Sequence, residues 1–127
     1  ILSGAGASGI HNVIYKESPI RVRPAAESLL RYTVLGHQVT VHDPALALLQ
    51  WAGEVADPQV YAPSILASGE PRHVLMFQGI LDTYIPPPIA NALSLALGLD
   101  LAGGSLDGSV ADRFASRATR ATARRPR

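Results

Sequence analysis

The strongest constraint on the fold is a short run with no polar interruption, Val74-Leu75-Met76-Phe77, followed by Gln78-Gly79-Ile80-Leu81-Asp82 and then by Ile85-Pro86-Pro87-Pro88. A strand that alternates apolar and polar residues keeps one wet face, whereas an uninterrupted run asks for cover on both faces, as in a parallel sheet flanked by helices. The segment therefore reads as a central strand over residues 74–78. Beyond the loop, the prolines fix the start of a helix in which Ile89, Ala92, Leu93, Ala96 and Leu97 recur at three- and four-residue spacing, with Gly98 as the stop. Strand, loop and helix make half of a βαβ unit, which puts the chain in the α/β class.

Elsewhere the signals are shorter. Ile1-Leu2-Ser3 reads as the remnant of a strand that runs into a flexible Gly4-Ala5-Gly6-Ala7-Ser8-Gly9 loop, and the start on a strand tail without a methionine suggests an internal piece of a longer sequence. His11 to Tyr15 is a short apolar run. Pro24 opens a helix carrying Val22, Ala25, Ala26, Leu29 and Leu30, with Gly36 at its far end. Asp43-Pro44 starts another, because the carboxylate accepts from first-turn amides and the proline has no amide to lose. Its apolar face is Ala45, Leu48, Leu49 and Ala52, widened by Leu46 and Trp51, and Gly53 with Asp57-Pro58 ends it. Residues 57–71 read as loop. With a single full strand in view, both strand edges are unpaired, which predicts self-association or dependence on partners.

The 127 residues suffice for one domain. Net charge is +1, which by itself attracts neither nucleic acid nor an anionic membrane. The average hides a split: residues 1–106 hold five basic and eight acidic side chains, and residues 107–127 hold six arginines and two aspartates. From Gly103 the chain becomes rich in Gly, Ser, Ala, Thr and Arg, with almost no large apolar residue after Phe114, so residues 105–127 are expected to be a disordered tail. Its repetitive composition is also that of GC-rich DNA translated out of frame. Six arginines would give salt-sensitive attraction to nucleic acid, but with no interleaved aromatic residue no specific nucleic-acid partner is expected. The absence of cysteine removes disulfides, thiolate metal sites and a cysteine nucleophile. No apolar stretch reaches the roughly 18 residues of a membrane span.

Asp82 is the leading chemistry-bearing residue. It lies where a strand gives way to a loop at its carboxyl end, the edge where open α/β sheets gather catalytic groups, and its other reading is a cap for the next turn or helix. Ser8, in Gly6-Ala7-Ser8-Gly9-Ile10, misses the second glycine of a nucleophile elbow by one place and has no clear helix after it, so it reads as a loop serine, as does Ser3. Gly4-x-Gly6-x-x-Gly9 satisfies the spacing of a dinucleotide-binding loop, but only two apolar residues precede it and Pro19 interrupts what should be its helix. No cofactor is expected. His37, His42 and Asp43 do not have a recognised metal-ligand spacing, and no metal site is expected. His73 begins a strand, and Trp51 reads as a core or partner-facing residue.

The strand, the Gly79-x-x-Asp82 turn and Ile85-Pro86 together resemble the acid-bearing loop of the α/β-hydrolases, in particular their bacterial esterase and lipase branch. Asp43-Pro44-Ala45-Leu46-Ala47-Leu48-Leu49-Gln50 and Ala56-Asp57-Pro58 with Tyr61-Ala62 are similar to the segment that precedes the acid strand in that branch. The resemblance covers about residues 1–104 and is most specific from His73 to Leu101. It implies a partial α/β-hydrolase domain over residues 1–104, with Asp82 as the acid of a Ser-His-Asp triad, Ile1–Gly9 as the end of the strand after the nucleophile helix, and residues 10–42 as a cap over an acyl pocket. An ester or acyl compound would be the substrate of the complete parent.

The chain departs from that family at the other two triad positions. No G-x-S-x-G is present, and all four histidines (His11, His37, His42, His73) precede Asp82, although the family's order is Ser, acid, His. The expectation is therefore a fragment of an ester hydrolase that carries the acid alone and is inert by itself, since loss of the nucleophile costs on the order of 10⁶ in turnover. The rival is a non-enzymatic α/β module that binds a partner through its open strand and apolar helices, and third comes a dinucleotide-binding protein using Gly4–Gly9.

Overall fold

In the computed structural model, which describes residues 1–67, 69 and 72–102, the elements are β1 (Leu2–Ser3), α1 (Gly9–Tyr15), α2 (Arg23–Leu29), α3 (Tyr32–Leu35), α4 (Pro44–Gly53), α5 (Pro58–Ala67), β2 (Met76–Phe77) and α6 (Pro87–Ala96). A 3₁₀ turn over Glu54–Ala56 joins α4 to α5. The tail expected over 105–127 and its boundary with the preceding domain lie outside the described residues.

The α/β class holds. The two strands pair in parallel with Leu2 opposite Met76 and Ser3 opposite Phe77, so the remnant at the start of the chain is the neighbour of the central strand. The Leu2 amide donates to the Leu75 carbonyl at 2.8 Å. Everything between them forms the crossover that parallel neighbours require. Regular pairing covers Met76–Phe77 instead of the expected 74–78, because β1 offers only two residues to pair with. Burial on both faces is also corrected. Val74 and Met76 pack inward while Leu75 and Phe77 stay about half exposed, since helices cover only one face of the strand pair.

That covered face forms the first core. Ala7, Ala62, Ala92, Leu93 and Leu97 are buried there, with Leu2, Val74 and Met76 against them. The expected stripe of α6 packs inward, but Ala90, Asn91 and Ser94 between its members are buried as well, so the helix is enclosed all round over Ile89–Ser94, and Gly98 follows it in a left-handed conformation. Pro87 and Pro88 remove two of the amides that a helix start would leave unpaired, and the Ile89 amide turns back to the Pro86 carbonyl at 2.9 Å. The glycine-rich loop lies directly on this first turn: the Ala7 amide donates to the Ile89 carbonyl at 3.0 Å. A Cβ on Gly6 would sit 2.5 Å from Ile89 Cγ2 and 2.9 Å from Ile85 Cγ2, so only glycine lets the two backbones approach this closely.

The second core is Val13, Val39 and Leu46, covered by Ile10, Ile14, Val22, Ala26, Leu30 and Tyr32. Serving it breaks the single helix expected from Pro24 to Gly36 into α2 and α3, with Arg31 at φ 58° between them, so that Leu30 and Tyr32 both reach the core. Arg23 and Glu27 then fasten α2 to the extended segment at Val39. Glu27 Oε1 accepts from Arg23 Nε at 3.0 Å and from the Val39 amide at 3.1 Å, and an Arg23 guanidinium nitrogen donates to the Val39 carbonyl at 3.0 Å. The Val39 amide first, and Arg23 after it, hold the Glu27 carboxyl below its ordinary range despite some desolvation.

Two helices occur that the sequence does not announce, one over the short apolar run at His11–Tyr15 and one in the expected loop. Residues 9–15 form α1, and Pro58–Ala67 forms α5 inside the expected 57–71 loop, because Asp57-Pro58 begins a helix as readily as it ends one. In α4 the boundaries match and Asp43 Oδ1 caps the Ala45 amide at 2.8 Å. Its buried face differs: Leu46 is enclosed, whereas Leu48, Leu49 and Trp51 face outward. Among the described residues no helix is long and apolar enough to cross a membrane.

Candidate functional site

The chain leaves β2 at Phe77 and is fastened at once. Gln78 Nε2 donates to Asn91 Oδ1 at 2.9 Å and to the Pro87 carbonyl at 3.4 Å, tying the strand exit to the first turns of α6. Residues 79–86 therefore form a loop with both feet pinned. Inside it the Asp82 amide approaches the Gly79 carbonyl at 3.4 Å. Asp82 Oδ1 accepts from the amides of Tyr84 at 2.8 Å and Ile85 at 3.0 Å, an Asx-type turn that fixes the carboxylate's orientation. Oδ2 takes no hydrogen bond from any described residue. Asp82 is half-buried, so this second oxygen remains reachable. Lys16 Nζ lies 5.8 Å from the centre of the Tyr84 ring, which brings the end of α1 to the same loop.

The loop after β1 reaches the same rim. Gly6 rests against Ile85 and Ile89, so the segments leaving the carboxyl ends of both strands lie side by side. Next in the chain, Ser8 sits at φ 74°, buried, as the N-cap of α1; its Oγ accepts from the His11 amide at 3.3 Å and its carbonyl from Asn12 Nδ2 at 3.1 Å. A helix does follow Ser8, contrary to the sequence reading. The serine's role in it is that of a cap.

Asp57 dominates the surroundings of Ser8. Its Oδ1 accepts from the amides of Ser8 and Gln59, both at 3.0 Å, and its Oδ2 from the Gly9 amide at 3.1 Å and from Gln50 Nε2 at 2.7 Å. Gln50 Oε1 in turn accepts from the Ile10 amide at 3.1 Å. Desolvation raises the Asp57 carboxyl, but the hydrogen bonds from Gln50 and from the Gln59, Ser8 and Gly9 amides outweigh it, and the group is held below its ordinary value. Of the Gly4-x-Gly6-x-x-Gly9 segment, the Ser8 and Gly9 amides are thus already given to the Asp57 carboxylate, and the Ala7 amide to the Ile89 carbonyl. Beside them lies a shallow cleft of about 380 Å³, lined by Ser8, His11, Gln50, Glu54 and Val60 among others.

The remaining candidates separate. Asp43 is buried and accepts from the Ala45 amide and from the Tyr32 hydroxyl at 3.2 Å, while the His37 ring stands edge-on to Tyr32 with centroids 5.5 Å apart. His42 and His73 are exposed, and no three His, Asp or Glu side chains among the described residues converge as metal ligands. His11 stacks on Tyr15 at 5.7 Å. None of the four histidines bonds Asp82, and Trp51 is exposed.

Sequence reasoning missed the Asp57–Gln50 clamp. Asp57-Pro58 signalled a helix boundary, but the partners lie 48 and 49 positions away, and no local pattern encodes such a pairing. Gln78 and Asn91 were missed for the same reason. Compared with protein-family models, with curated proteins and with solved structures, the chain has no match.

Proposed function

We propose that this chain is the acid-bearing part of a carboxylic-ester hydrolase of the α/β-hydrolase kind, with Asp82 as the triad acid and with the serine nucleophile and histidine base supplied from outside these 127 residues. One observation carries the reading: Asp82 stands just past the carboxyl end of a parallel strand with one oxygen locked by two backbone amides and the other unclaimed. A triad acid needs that division. One oxygen is held still so that the second can take the imidazole N–H, set the tautomer and stabilise the imidazolium formed during attack. The parallel pairing of β1 and β2 supports the same reading, because it brings a second strand-end loop to the rim where a nucleophile, a base and oxyanion donors would meet.

The test is hydrolysis of short- and medium-chain nitrophenyl esters. The chain alone is expected to show no turnover above buffer, and robust turnover abolished by Asp82→Ala would overturn the incomplete triad. Joined to the coding sequence on either side, read in all frames, it is expected to gain a G-x-S-x-G upstream and a histidine loop downstream, and with them activity that falls at least about 10⁴-fold in Asp82→Asn. Flanking sequence with neither motif would sink the hydrolase reading in favour of a binding module.

A further inference from the structure

We propose that Gly6 is a positioning residue for the Asp82 carboxylate, acting through Ile85; the proposal deepens the reading of Asp82 as a triad acid and rests on it. The first link is steric. Gly6 lies against Ile89 and Ile85, where an added Cβ would fall 2.5 Å and 2.9 Å from their Cγ2 atoms. The second link is a hydrogen bond: the Ile85 amide donates to Asp82 Oδ1 at 3.0 Å, beside the Tyr84 amide at 2.8 Å. Two donors converging on one oxygen hold the carboxylate still. With one donor it pivots, and Oδ2 loses the fixed aim that a triad acid needs.

Stiffness decides which way a displacement travels. The segment around Gly6 is held on both sides: Leu2 is paired to β2, the Ala7 amide is bound to the Ile89 carbonyl, and the Ser8 and Gly9 amides are bound to Asp57. Ile89 lies in the first turn of α6, where a β-branched side chain has one strongly favoured rotamer, and at 1% exposure it has no room to leave it. Ile85 belongs to the loop between β2 and α6 and is the softest of the three. Its Cγ2 sits on the branched Cβ, so a push there moves the backbone that carries the amide. The loop after β1 therefore sets the orientation of the acid in the loop after β2.

Amide hydrogen exchange on the full chain, followed residue by residue by nuclear magnetic resonance, reads this coupling without any turnover. Asp82→Ala defines the signal, as the protection of the Tyr84 and Ile85 amides that its removal abolishes. Gly6→Ala should lower protection at Ile85 about tenfold, while the Val39 and Ala45 amides, bound to Glu27 and Asp43 around the second core, keep theirs. Ile85→Ala removes the side chain that rests on Gly6 and should lower protection at position 85 by a similar factor, which keeps the test decisive if Gly6→Ala does not fold. Combining the two puts a methyl group where the isoleucine branch was, and should restore protection to within about threefold of the native chain. Native protection at position 85 in a folded single variant overturns the proposal. So does a loss that the combined variant fails to recover, since Gly6 would then serve the packing alone. Because the measurement needs no activity, such a result leaves the triad reading standing, whereas flanking sequence without the serine and histidine motifs sinks that reading and leaves the coupling of Gly6 to Ile85 measurable.

Discussion

Asp57 and Asp82 are both carboxylates at turns, and their hydrogen bonds separate their roles. Asp57 spends both oxygens inside the molecule, on amides of the Ser8–Gly9 turn and of α5 and on Gln50 of α4, so it is a fastener with no valence left for a substrate. Asp82 spends one. Because hydrogen bonds to a buried charge are worth more than neutral ones and their partners would be stranded, Asp57→Ala should cost about 3 kcal/mol, read as a drop in the urea midpoint. The folded-state value of Asp57 lies below its ordinary 3.8, so the unfolded chain binds this proton first as the solution is acidified. Its stabilisation is complete above 3.8 and is lost as pH falls through the lower folded value. Comparing urea midpoints at about pH 6 and about pH 3, the native chain should lose more stability than Asp57→Asn does. Equal losses would mean that the clamp is not what titrates.

At the level of elements, the helices legible in the sequence were those with a proline at the first turn and a cap or stop of their own. α4 has Asp43-Pro44 and Gly53, and α6 has Pro87 and Gly98. The helices that escaped notice depend on distant residues: α1 is one of the shortest and is held at its start by Asp57 and Gln50, and α5 carries Pro58 and Pro63 within ten residues, a composition that reads as loop. For α6 the expected stripe is part of what is buried, although Ala90, Asn91 and Ser94 are enclosed beside it; for α4 the buried face was not legible, because apolar residues surround the axis and only tertiary packing selects Leu46. The two leucines of α4 test that choice. Leu46→Ala should cost about 2–5 kcal/mol, as for a filled core site, while Leu48→Ala at an exposed position should stay within about 0.5 kcal/mol in thermal or urea unfolding. Asp82's place at a strand end was legible from Gly79 and Pro86. The freedom of its second oxygen was not, since that depends on how the backbone of residues 84 and 85 curls back.

Taken whole, the molecule pairs two short strands with each other and, among the described residues, with no third. Each strand keeps an outer row of backbone groups, and Leu75, Phe77 and Leu81 stay exposed around them, so apolar surface lies next to unpaired edges. Sedimentation velocity should show mass rising with concentration between the micromolar and millimolar range, and Phe77→Lys, a charge placed on the open face, should shift the distribution back toward monomer. A single sharp monomer at all loadings would argue that the edges are already shielded. The tight seat of Gly6 on Ile85 and Ile89 has a mechanical corollary. With no slack for even a methyl group, the glycine loop and the root of the acid loop work as meshed gears: a ligand or partner that displaces Ile85 must also drag Ala7 and Ser8, and through them pull on Asp57 at the far end of the train.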